Sequence, residues 1–234
     1  MENMDPTKVA PVAQTITLEK RDGKVVDSKT GNEYFEKGED AELEYFVTLL
    51  SKGILNVSDI IKKDTTYYSK KMSLEDINFQ QKEEKDVDFF VLKYLLGDDD
   101  HRVDANYAQN EKGQFSHYDY GRAFSTVVPT KNRLVKSLGN FFFKMEAEHA
   151  LKKTSNTLND RMGFAQLLGS KISQFGARLE NESFFREVLV KSELRLMTGK
   201  FSFLRGDSEK ERQEELRKYL QERVSMLLKL TKVS

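Results

Sequence analysis

Apolar side chains recur along the chain with two periods, and the change of period divides it. Up to Met72 the runs are short: Thr15–Lys20 (TITLEK), Lys24–Asp27 (KVVD) and Glu33–Lys37 (EYFEK) read as extended segments. The turn dipeptide Asp22-Gly23 and the triplet Thr30-Gly31-Asn32 separate them. Leu43, Phe46, Val47 and Leu50 then fall at i, i+3, i+4 and i+7, predicting a helix capped by Asp40 and ending at Gly53. Further extended segments are expected at Asp59–Lys62 and Thr65–Met72. A second helix is predicted from Lys82 to Leu96, with Val87, Phe90, Val91, Tyr94 and Leu95 on one face and Gly97 as its stop. From Gly97 to Phe124 the periodicity lapses into loop, with Gly113 turning between two short strands. Helical spacing returns over Leu134–Lys153, Leu158–Leu168, Lys171–Leu179, Ser183–Met197 and Glu209–Lys229, the last opened by a Ser208-to-Glu211 capping box. The order predicts an α+β protein: a β-rich unit with one helix, a loop-rich centre and a helical remainder.

Composition narrows what such a chain can do. Its 234 residues carry 38 Lys+Arg and 38 Asp+Glu, a net charge of zero, which argues against a generic nucleic-acid binder. The sum hides an asymmetry: residues 1–124 hold 17 basic and 25 acidic side chains, a balance of −8, and the rest is +8. The mean hydropathy of −0.63 with 16 Phe describes a polar surface around an aromatic-rich core. No apolar run approaches the ~20 residues of a membrane-spanning helix. The first residues, with Pro6 and Pro11, read as a loose tail without the pattern of a secretory signal. With no Cys, disulfides and thiolate chemistry are excluded, and the presence of only three histidines, His101, His117 and His149, argues against a multi-His zinc site.

The segment Leu95–Phe124 is the most informative. Asp98, Asp99 and Asp100 follow a predicted helix C-terminus, where negative charge opposes the helix dipole by roughly 0.3–1 kcal/mol per exposed residue. A solvated acidic turn and a divalent-cation site both fit such a cluster. An EF-hand does not, because the sixth loop position is Val103 or Ala105 and no Glu stands at the twelfth. Downstream, Asn106 precedes the predicted hairpin and Asp119-Tyr120-Gly121 follows it, an interval of 13 residues.

This arrangement resembles the active-site segment of the atypical protein-kinase-like superfamily. The similarity is to the phosphatidylinositol 3/4-kinase-like branch and to kinase-like effectors of intracellular bacteria. Ser116-His117-Tyr118-Asp119-Tyr120-Gly121 matches that branch's His-Ile-Asp-Phe-Gly, and Asp119, Gly121 and Phe124 match the effector variant Asp-x-Gly-x-x-Phe. The resemblance implies that Asn106 and Asp119 hold Mg²⁺, and that Asp99 or Asp100 orients the acceptor hydroxyl. His101 stands five residues before Asn106 where the family has three; a two-residue insertion restores the alignment, or else Asp104 replaces the Asn. Lys37, at the end of the third strand, and Glu44, in the following helix, are the implied phosphate-positioning pair. Tyr68 and Lys70 fall in a stretch similar to the interlobe hinge that meets adenine, and Arg122 is a further candidate phosphate contact. No Gly-x-Gly-x-x-Gly loop is present.

The fold so implied is small and two-lobed: a tail over 1–13, a reduced β-rich N-lobe with hinge over 14–72, and a mainly helical C-lobe over 73–234. The implied cofactors are ATP and Mg²⁺. The implied acceptor is an anionic lipid, inositol phosphate or protein, and the expected place is the cytoplasm, including that of a host cell. A pseudokinase-like binding module and AMP transfer on the same fold are the alternatives. The basic residues beyond Phe124, from Lys131 and Arg133 to Lys152 and Lys153, suit either solvated helix surface or an anionic partner, with peripheral membrane contact as one form of it.

Overall fold

The computed structural model describes residues 16–71, 87–98, 107–109, 115–117, 119–124, 147–148 and 158–233. The protein is α+β. Five strands, β1 (Leu18–Arg21), β2 (Lys24–Asp27), β3 (Glu33–Glu36), β4 (Ile60–Lys63) and β5 (Thr66–Lys70), form an antiparallel sheet of order β1-β2-β3-β5-β4. Asp22 (φ 49°) and Gly23 (φ 77°) make the two-residue turn between the paired Arg21 and Lys24. Two successive positive φ values match the right-handed twist of the flanking strands, which is why an Asp-Gly pair stands there.

The sheet is covered on one face. In β3, Tyr34 is buried while its neighbour Phe35 is 54% exposed, the alternation of a one-sided sheet. Tyr67 of β5 packs on Tyr45 of helix α1 (Ala41–Ser51), with ring centroids 5.5 Å apart. The period predicts α1 as a one-faced helix, yet every residue in it except Glu42 is buried. Helix α4 (Glu182–Ser192) packs on the predicted face, where Phe185 meets Phe46 edge-on at 6.1 Å, while Tyr45, off that face, meets the sheet. Asp40 does not cap α1 with its side chain: it stands at the N-cap with φ 65° and pairs elsewhere, as set out below.

Helix α2 (Val87–Tyr94) and the hairpin of β6 (Tyr107–Gln109) and β7 (Phe115–His117) lie beside the loop that follows α1. His117 N–H donates to Asn56 O (3.0 Å) and Ser58 N–H to His117 O (2.7 Å). That loop is itself clamped: buried Arg178 donates to the carbonyls of Leu50 and Lys52, Lys171 to Ile54 O, and the Asp88 carboxylate accepts Asn56 N–H. Burial holds the Arg178 guanidinium down to about 10, still cationic at neutral pH.

The two helices predicted over Leu158–Leu168 and Lys171–Leu179 are one, α3 (Leu158–Glu180). Gly169 is not a break but a close approach: a Cβ there would stand 3.2 Å from Thr231 Oγ1, and one on Gly176 3.2 Å from Val224 Cγ1. Both glycines, two turns apart, face the last helix, α5 (Glu209–Val233). The Ser208–Glu211 capping box forms as expected, with Glu211 N–H on Ser208 Oγ (3.3 Å) and Ser208 N–H on Glu211 Oε2 (3.1 Å). One contiguous buried cluster runs from Ala41 through Phe90, Phe124 and Phe185 to Leu230. Among the described residues no helix is long and apolar enough to cross a membrane.

Candidate functional site

Lys37 directly follows β3, and its N–H donates to Tyr67 O (2.8 Å), so the adjacent strand fixes its backbone. Its side chain turns toward the first turn of α1, where Nζ lies 2.8 Å from Glu44 Oε1. The two residues paired on sequence grounds are therefore in contact. The pair is sheltered: Lys37 is 20% exposed and Glu44 only 3%. Burial raises the Glu44 carboxyl above its ordinary value, opposed by the Lys37 ammonium and reinforced by the nearby Asp119 charge.

Glu44 also accepts the backbone N–H of Tyr120. This bond brings the segment after β7 to α1. Tyr120 is wholly buried; its hydroxyl donates to His117 O and accepts Ser58 N–H (3.3 Å), and burial pushes the phenol far above its usual range. Ala123 N–H closes a turn on Tyr120 O (2.9 Å), and Phe124 N–H is held by Leu96 O (2.7 Å). Within this pinned turn Asp119 is exposed and has φ 63°, a left-handed conformation that Asp tolerates better than most residues. Backbone held in this region by its surroundings is characteristic of functional sites.

A second ion pair, not anticipated from the sequence, adjoins the first. Lys200, in a single 3₁₀ turn (Gly199–Phe201), places Nζ 2.7 Å from Asp40 Oδ1 and donates to Gly121 O. Gly121 lies between two carboxylates: a Cβ there would meet Asp40 Oδ2 and Asp119 Oδ1, both at 3.6 Å. The signal in the sequence was slight, since Lys200 and Gly121 are 79 residues apart and no spacing rule links them.

Three carboxylates (Asp40, Glu44, Asp119) and two ammonium groups (Lys37, Lys200) thus gather around Asp119-Tyr120-Gly121. The two lysines neutralise Glu44 and Asp40, leaving the charge of exposed Asp119 as the surplus. An ammonium and a hard, exposed oxygen ligand in one place can bind an anion together with its cation. Among the described residues, no group of three or more His, Asp or Glu side chains forms a metal site.

The other expected residues divide. Tyr68 sits inside β5, flanked by Glu36 and Ile61 of the two neighbouring strands, and Lys70 is exposed at that strand's end. Among the described residues neither is linked by hydrogen bond or ion pair to the Lys37–Glu44 pair. Arg122 is exposed, while Asp98 is buried with its N–H directed to Leu92 O (3.4 Å). Asp99, Asp100 and Asn106 lie outside the described residues, as do the N-terminal tail and the basic stretch from Lys131 to Lys153, apart from 147–148. A separate surface groove of about 530 Å³ is walled by Glu182, Arg186, Lys210, Glu211 and Arg217, with none of the expected site residues in it. Comparison of the chain with protein-family models, with curated proteins and with solved structures returns no match.

Proposed function

We propose that this chain is a kinase-like phosphotransferase that uses ATP and Mg²⁺ to modify a hydroxyl-bearing acceptor. One observation carries the reading: the Lys37–Glu44 ion pair, with Glu44 also accepting the N–H of Tyr120, next in sequence to Asp119. Phosphoryl transfer in kinases relies on a strand lysine held by a helix glutamate and on an Asp-x-Gly carboxylate for the metal. The donor set suits that chemistry, since Lys37 keeps a solvent-facing side and Asp119 is exposed.

In this reading Asp119 and Asn106 hold the cation, and bound Mg²⁺ supplies neutralisation of phosphate charge. Lys37 orients the phosphates and Glu44 fixes Lys37. Asp99 or Asp100 orients the acceptor hydroxyl, an anionic lipid, inositol phosphate or protein side chain. The α1 helix between β3 and β4, and the hairpin between Asn106 and Asp119, agree with a kinase-like arrangement of the fold.

A second reading, a pseudokinase-like nucleotide-binding module, draws on the β1–β2 turn. Only Asp22 and Gly23 connect the paired Arg21 and Lys24, a short cover for phosphates. ATP labelled at the α or γ phosphate separates the cases: γ-label in an acceptor marks a kinase, α-label AMP transfer, and binding without transfer the module. Mg²⁺–ATP titration of the wild type and Asp119→Ala tests the common premise. Unchanged affinity in Asp119→Ala would overturn it.

A further inference from the structure

The Asp-Tyr-Gly turn is fastened from a part of the chain that carries no kinase-like motif. Lys200 arrives from the connection between α4 and α5 and makes two contacts at once, with Asp40 Oδ1 at the head of α1 and with Gly121 O. Its position is set by the next residue. Phe201 is buried against Phe124, the end of the same turn, with centroids 5.7 Å apart, and against Phe203 at 6.1 Å. Asp40 is equally committed: its side chain makes no N-cap bond to α1 and goes to Lys200 instead.

Gly121 O and Tyr120 N–H are thereby gripped from two sides, by Lys200 and by Glu44. The residue just before them, Asp119, keeps a positive φ that its neighbours must maintain. We propose that Lys200 is a positioning residue, a charge latch that joins the Asp119-Tyr120-Gly121 turn to the head of α1 and so holds Asp119 beside the Lys37–Glu44 pair. The latch acts by charge: an ammonium between a carboxylate and a carbonyl makes two charge-assisted hydrogen bonds that a neutral side chain of equal length does not. Its effect on ligand rests on the phosphotransfer reading; its effect on the turn does not.

The test uses the full chain with Mg²⁺–ATP as probe, in wild type, Lys200→Met, Lys200→Arg, Asp40→Asn and the double variant Asp40→Asn/Lys200→Met. Asn is chosen at position 40 because it tolerates the left-handed conformation there. Lys200→Met and Asp40→Asn should each weaken binding by about tenfold, the order set by one charge-assisted hydrogen bond. Lys200→Arg should restore most of the affinity, and the double variant should bind no more weakly than either single one. Amide hydrogen exchange at Tyr120–Ala123 should accelerate in Lys200→Met and not in Lys200→Arg. Wild-type affinity and exchange in Lys200→Met would overturn the latch, and so would additive losses in the double variant. If wild type fails to bind Mg²⁺–ATP, the phosphotransfer reading falls, and the exchange comparison alone decides the latch.

Discussion

Replacing Lys37 by Met leaves a buried carboxylate without its ammonium. The Met side chain retains the length and apolar contacts of Lys37, so the change is chiefly electrostatic. Glu44 is 3% exposed and keeps only the Tyr120 N–H as a described hydrogen-bond donor, with the Asp119 charge close by. Breaking a fully buried pair costs about 3–5 kcal/mol; the 20% exposure of Lys37 admits solvent screening and reduces this to about 1–3 kcal/mol. The sign of the pH dependence follows from Glu44. Its carboxyl is already raised by burial, and loss of Lys37 removes what opposes that rise, so the folded state holds a proton that the unfolded chain releases near pH 4.5. Stability from this group is complete below pH 4.5 and is lost as pH rises through the folded-state value. Lys37→Met should therefore melt close to wild type near pH 5 and lower by about 3–10 °C near pH 8. Thermal melts followed by circular dichroism across that range measure it, and Lys37→Met/Glu44→Gln should show a much flatter difference. A deficit in Lys37→Met that is equal at pH 5 and pH 8 would refute the buried-charge reasoning.

Two further outcomes concern the helices. Gly163 has open space around its Cβ position, so Gly163→Ala should stabilise by about 0.5–1 kcal/mol through helix propensity, whereas Gly176→Leu should destabilise by about 1–3 kcal/mol by driving into Val224; urea denaturation reads both. At the head of α5, Ser208→Ala should destabilise by about 1 kcal/mol. Hydrogen bonds from Ser208, and then from Asp207 N–H, hold the Glu211 carboxyl below its usual value, so the advantage of wild type over Glu211→Gln should be present above pH 4.5 and fade as pH falls below it.

Local features of the fold were legible because they depend on neighbours in the chain. The Asp22-Gly23 turn, the strand Lys24–Asp27, the Ser208–Glu211 box and the helix end near Gly53 each follow from a few adjacent residues. The site was legible in part for the same reason: Lys37 and Glu44 are seven positions apart across one strand-to-helix connection, a short reach that topology makes hard to avoid. The misreadings have the opposite character. Gly169 separates the two helices expected over Leu158–Leu168 and Lys171–Leu179 until Thr231, on another helix, gives it a different role, since a Cβ there would stand in tight contact with the Thr231 side chain. Asp40 looks like an N-cap until Lys200 takes its carboxylate.

By itself, the amino-acid order determined where chain direction changes, which faces are apolar, and which lysine, glutamate and Asp-Tyr-Gly segment the proposed phosphate chemistry would draw on. Tertiary structure decided what those groups experience. A period of 3.6 marks one apolar face of α1, but the folded chain buries all of α1 except Glu42, and that burial raises the Glu44 carboxyl and makes its pairing with Lys37 matter. Propensity and capping act over a few residues and can be read along the chain. Desolvation and the meeting of Lys200 with Asp40 depend on which distant surfaces pack together, and only the folded chain sets that.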